Sequence, residues 1–171
     1  MIKKDLTNLI IYDIIYIERK REVIEMEKKI YLDCDGTWID LYGVENWLPM
    51  LQNFDPTPYI VAKPLVNLTW LARTIHELQA QGYEIGIISW LSKNSNEQYD
   101  IQVTQAKLNW LAQHMPSVEW NEIHIVKYGT PKSTCGNGIL FDDELNNRNE
   151  WKGLAFDEKN LIKTLRSFLG N

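Results

Sequence analysis

Cysteine is nearly missing from this chain: among 171 residues only Cys34 and Cys135 occur. Their spacing matches no metal-ligand or disulfide pattern. A thiolate metal centre and a cystine-stapled scaffold are thereby excluded, and a reduced, cytoplasmic setting is expected. Positive charge is also short, with 18 Lys and Arg against 23 Asp and Glu for a net charge of −5. No overall basic field therefore draws the protein to nucleic acid. Long apolar runs are absent too. The most apolar stretch, LTNLIIYDIIYI (6–17), is interrupted by Asp13, falls short of the roughly 20 residues that span a bilayer, and lacks the small-residue cleavage site of a secretory signal. No stable membrane association is expected. Repeats and low-complexity tracts are missing as well.

What is present suits one domain with a sizeable core: 44% hydrophobic residues, 24% charged, and seven Trp with eight Tyr, more aromatics than a bare scaffold needs. Met26 directly precedes EKKIYLD, so residues 1–25 read as an N-terminal extension outside the fold and 26–171 as a single domain.

Within that domain, KKIYLD (28–33) reads as a buried strand. Residues 38–63 carry Pro49, Pro56 and Pro58 among scattered aromatics and read as a small cap-like insertion of loops and a short helix. The pattern predicts a helix over 65–81, opened by Pro64, with Leu65, Leu68, Leu71, Ile75 and Leu78 at helical spacing and Gly82 as its stop. YEIGIIS (83–89) is a second strand, followed by the polar loop 92–98 and a helix with Ile101, Leu108, Leu111 and Met115 on one face. Strands EIHIVKY (122–128), GILFD (138–142) and GLAF (153–156) and a closing helix over 158–169 complete the chain. Strands alternating with helices imply an α/β, Rossmann-like core: a mainly parallel sheet with helices on both faces and its crevice at the carboxyl ends of the strands.

Those ends carry the chemistry. The first strand ends in Asp33-Cys34-Asp35-Gly36-Thr37, the second in Ser89, and the fourth in Asp142-Asp143-Glu144; Lys127 and Lys132 follow the third. Clustered carboxylates without histidine or thiolate suit a hard, oxygen-preferring cation, above all Mg²⁺. One carboxylate is then a nucleophile towards phosphorus, and a second protonates the leaving oxygen and activates water. Ser89 and a lysine, Lys127 or Lys132, hold phosphoryl oxygens. Gly36 permits the sharp exit that brings backbone amides close.

DCDGT after an apolar strand, Ser89 after IGII, Lys132 before GILFDDE, and the acidic pair itself resemble the four motifs of the haloacid dehalogenase superfamily of phosphohydrolases. The layout is most similar to the 5′(3′)-deoxyribonucleotidases and related small phage and bacterial proteins, from about residue 28 to 168. The resemblance implies Asp33 as nucleophile and Mg²⁺ ligand, and Asp35 as general acid/base with its carbonyl on the metal. It implies Ser89 and Lys132 as phosphoryl ligands and Asp142 and Asp143 as the rest of the metal site. Lys132 is preferred because it lies ten residues before Asp142. Two departures stand out: the stretch between Asp35 and Ser89 is shorter than the nucleotidase cap segment, and Thr37 replaces the more typical Val. The implied activity is a Mg²⁺-dependent phosphatase acting on a small phosphorylated substrate such as a nucleotide. A minimal cap also admits a phosphorylated nucleic-acid end, with Lys93, Lys127, Lys132 and Arg148 as candidate basic surface. A non-catalytic binding module is the third reading, and the intact acids count against it.

Other residues carry blander readings. The residues after Gly36 lack the oxygen ligands and closing Glu of a calcium loop. His76, His114 and His124 have no spaced partners. Cys34 is a filler between two acids. Asp55 and Asp100 read as capping or surface residues. Trp38, Trp90 and Tyr42 flank the motifs and serve either packing or stacking on a base.

Overall fold

The apolar run at the start of the domain becomes the centre of the sheet. In a computed structural model that describes residues 28–170, β1 (Lys29–Leu32) pairs in parallel with β4 (Glu84–Trp90) on one side and β6 (Ile139–Phe141) on the other. Outside these lie β5 (Glu122–Val126) and β7 (Leu154–Phe156), giving one parallel sheet in the order β5-β4-β1-β6-β7. The extension expected at 1–25 falls outside the described residues. The chain runs outward from β1 to β4 and β5, then returns past β1 to β6. The strand order therefore reverses at the β1–β6 boundary, and ligand crevices of open α/β sheets form at such a point.

Strand alternation sorts the core. Ile30, Leu32, Ile85, Ile87, Ile139 and Phe141 face one way and form the main cluster. They pack with Leu71, Ile75 and Leu78 of α3 (Leu68–Ala80), Trp110 and Leu111 of α4 (Glu97–His114), and Leu161 and Leu165 of α6 (Leu161–Arg166). Tyr31, Ile88 and Leu140 face the other way and meet Trp151, which follows α5 (Leu145–Glu150). A leucine such as Leu71, fully buried, is worth about 2–5 kcal/mol against alanine.

Two local readings are corrected. Pro64 does not open a helix. It sits in β3 (Lys63–Pro64), antiparallel to β2 (Ile39–Asp40), and α3 begins at Leu68, where the Asn67 side chain accepts from the Trp70 amide at 3.0 Å. Gly82, at φ +85°, follows its end as expected. In α4 the buried face is Tyr99, Val103, Ala106, Lys107, Trp110 and Leu111, while Ile101 is 58% exposed. Asn96 caps this helix by accepting from the Tyr99 amide at 2.9 Å, and Tyr99 lies inward with Ile101 outward.

The β2–β3 ribbon closes the base of the segment between them. That segment carries α1 (Trp47–Gln52) and α2 (Thr57–Val61), whose Leu51 and Tyr59 join Leu41, Leu91 and three residues of α4 in a separate cluster. Asp55 accepts from the Thr57 amide at 2.9 Å in a turn just before α2, whose N-cap position is Pro56. Among the described residues no helix is long and apolar enough to cross a membrane.

Candidate active site

Ladder hydrogen bonds continue past the strand ends and carry the acids into place. The Asp33 amide donates to the Phe141 carbonyl at 2.8 Å, and the Asp142 amide to the Phe156 carbonyl at 3.1 Å. Asp33 and Asp142 therefore sit side by side at the switch point. The turn after Asp33 is tight: the amides of Thr37, Trp38 and Ile39 all converge on the Cys34 carbonyl. Gly36 has φ +80°, and a Cβ there would run into the Asp143 carboxylate and come within 2.7 Å of the Tyr42 ring. No other residue fits this position without displacing the acid.

On the β6 side, Asp33, Asp142 and Asp143 each place one oxygen within 4.8 Å of the others. Lys132, buried in a single 3₁₀ turn (Lys132–Thr134), reaches Asp33 Oδ1 at 2.7 Å and Asp142 Oδ2 at 2.5 Å. Burial opposes its charge, but Asp33 and Asp142 hold its pKa above the ordinary lysine value. Asp142 also accepts from Asn147 Nδ2 and the Glu144 amide. Arg148 donates to the Asp142 and Asp143 carbonyls at 2.7 Å each, so it braces this loop. The Thr37 hydroxyl lies 3.3 Å from both Asp33 Oδ2 and Asp143 Oδ1 and accepts from the Asp143 amide, tying the two acidic loops together.

Three carboxyl groups thus face one ammonium, so acids outnumber the cation. Burial, then Asp33 and Asp142, push the Asp143 carboxyl up to about 7, and burial with Asp33 also raises Asp142. An all-oxygen cluster short of positive charge fits a hard divalent cation.

On the β4 side stands a different group. Lys107 of α4, only 4% exposed, contacts the Asp35 carboxylate and donates to Ser89 Oγ at 2.8 Å. Its ammonium also lies 4.9 Å from the centre of the Tyr59 ring. Burial raises the Asp35 pKa, and Lys107 opposes that rise. Ser89 is fully buried. The sequence reading missed Lys107; its only signal is a lysine inside the apolar stripe Tyr99, Val103, Ala106, Trp110.

A cleft of about 450 Å³ opens above these groups. Asp33, Asp35 and Lys132 lie in its lining, with aromatic walls from Tyr42, Trp47 and Tyr59 on the insertion, from Trp90 at the end of β4 and from Tyr128 after β5. Of the aromatics weighed as stacking groups, Tyr42 and Trp90 line the cleft, and Trp38 is wholly buried beside Trp110 and Trp120. Ser92, missed by the sequence reading, also lines it. Lys127 is exposed at the end of β5, whereas Lys132 is inside the site. Cys34 is buried, which pushes its thiol pKa up and keeps it inert.

The parallel sheet with acids at its switch point makes this an α/β, Rossmann-like domain. No protein-family model matches the chain, and no curated relative matches it. Among solved structures it is similar to the D,D-heptose 1,7-bisphosphate phosphatase from Burkholderia thailandensis, with a TM-score of 0.53 and 12% identity over 84% of this chain and 99% of that one. At that identity, the likeness establishes the fold.

Proposed function

We propose that this protein is a Mg²⁺-dependent phosphohydrolase that cleaves a phosphate monoester through a phospho-Asp33 intermediate. The observation that carries the reading is the cluster at the switch point: Asp33, Asp142 and Asp143 within 4.8 Å, with Lys132 on two of them. Asp33, Asp142 and Asp143, with the Asp35 carbonyl, would hold the metal. Bound there, Mg²⁺ supplies charge neutralisation for the incoming phosphate. Asp33 attacks phosphorus, and Asp35 protonates the leaving oxygen and later takes a proton from water. Lys132 binds the phosphoryl oxygens as negative charge shifts on to them, and Ser89 is the second phosphoryl ligand.

The leaving group is read from the walls. Tyr42 packs edge-on against Trp47 with ring centres 5.0 Å apart, and Trp90 meets Tyr128 at 4.9 Å. Two aromatic pairs above a phosphate site favour a planar, base-bearing substrate, a nucleotide, over a sugar phosphate. The short insertion acts as a minimal cap.

The test is phosphate release with Mg²⁺ from nucleoside monophosphates, sugar phosphates, and 3′- or 5′-phosphorylated oligonucleotides. Turnover of monophosphates, lost in Asp33→Asn and without Mg²⁺, is the expected result. Preference for oligonucleotide ends would assign the open cleft to a nucleic-acid substrate. Inactivity on every ester, or an active Asn variant, would overturn the mechanism.

A further inference from the structure

Lys107 belongs to a helix whose neighbouring inward positions are apolar or small, and burying an ammonium is costly unless it is paired. Its three contacts come from three separate parts of the chain: Asp35 on the turn after β1, Ser89 on β4, and the Tyr59 ring on α2. None belongs to the acid cluster around Lys132. The contact to Asp35 uses Oδ2, and Asp35 lines the cleft. One carboxylate oxygen is therefore fixed while the other is directed by that fixation. Ser89 Oγ accepts from Lys107, which leaves the hydroxyl hydrogen to point elsewhere.

We propose, resting on the phosphatase reading above, that Lys107 is a positioning residue for the leaving-group step: it holds Asp35 so that its free oxygen meets the leaving oxygen of the substrate. In that step an Asp33 oxygen bonds to phosphorus while the P–O bond to the leaving group breaks. The electron pair stays on the leaving oxygen, the Asp35 proton goes to it, and a neutral alcohol departs. Water then attacks the phosphorus of phospho-Asp33 and gives a proton to Asp35; the Asp33 O–P bond breaks, its electron pair returns to the Asp33 carboxylate, and inorganic phosphate leaves. Lys107 gives up no proton in either step. It fixes where the proton donor stands.

A misplaced acid is felt only when the leaving group needs a proton. The test compares kcat/KM, which covers binding and the first transfer alone, for p-nitrophenyl phosphate and for two alkyl esters, a nucleoside 5′-monophosphate and glycerol 3-phosphate. Lys107→Met should lose about 10²-fold on the alkyl esters and no more than about threefold on the aryl ester. Lys107→Arg, which keeps the charge and a donor, should recover part of the alkyl loss. Thermal unfolding of each variant verifies folding, and Lys107→Gln takes the place of Lys107→Met if the latter does not fold. Equal losses on both ester types would mean that Lys107 acts on the phosphoryl group or only on the fold, and would overturn the proposal while leaving the phosphatase reading intact. Wild type active on the aryl ester alone would also overturn it, because there would be no working acid to position. Wild type inactive on all three would remove the phosphatase reading and this role with it.

Discussion

Towards β4, Lys107 meets one carboxylate and one hydroxyl; towards β6, Lys132 meets two carboxylates with a third alongside. The first group pairs one ammonium with one acidic side chain. The second carries surplus negative charge, and burial makes each charge costlier to hold. One half of the crevice thus carries its own counter-ion, and under the proposed function the other would be completed by a bound cation. That division matches the two tasks of the proposed mechanism, aiming a proton donor and receiving a cation with a phosphate.

The comparison breaks most sharply at Asp33. Asp33→Asn should abolish phosphate release while keeping the fold, since the amide fills the same space and relieves repulsion; circular dichroism beside the activity assay checks both. Next in size is Lys132→Met, which strands Asp33 and Asp142 without their cation. Breaking such a buried pair costs about 3–5 kcal/mol, and urea unfolding of the metal-free protein should show it. The same denaturation should show a smaller loss for Lys107→Met, because Asp35 is less buried than Asp142. Gly36→Ala comes third: a Cβ at φ +80° facing Asp143 should cost about 1–3 kcal/mol and weaken Mg²⁺ binding measured by calorimetry.

A smaller effect concerns pH. The Asp143 carboxyl titrates near 7 in the folded chain, above its unfolded value. Between those values the folded state binds more protons than the unfolded one, so its stability falls as pH rises. The metal-free protein should therefore lose on the order of 1 kcal/mol, about 2–4 °C of melting midpoint, between pH 5 and 8. Saturating Mg²⁺ should cancel that loss, and a midpoint that rises with pH in the metal-free protein would contradict the assigned charge surplus. Smallest of all, Tyr128→Ala should raise KM for a nucleoside monophosphate by about three- to tenfold through lost stacking, with glycerol 3-phosphate unaffected.

The placement of Asp33 and Asp142 was legible because each directly follows an apolar strand, with Asp35 and Asp143 in the turns just beyond, and parallel pairing brings strand ends together. Lys107 was not legible. Its partners lie 72 and 18 residues away, so nothing in its own helix explains it. The helix misled further, since Ile101 faces solvent and Ala106 and Lys107 face inward, inverting the usual apolar cue. The start of α3 was misread for a related reason: Pro64 suits a first helical turn, but pairing with Ile39 held it extended and left the start to Asn67.

The small antiparallel ribbon has a consequence for how such a domain diversifies. Ile39 pairs with Pro64 and Asp40 with Lys63, so the chain leaves and re-enters the core through one narrow gate. Loop closure across that gate grows only by about 0.6 kcal/mol for each doubling of the enclosed length. Residues 41–62 are therefore a jaw that can lengthen at low entropic cost: a graft that keeps Leu41, Tyr59 and Ala62, which pack on α4 and the core, would change which molecules reach Asp33 without altering the strand pairs that aim it.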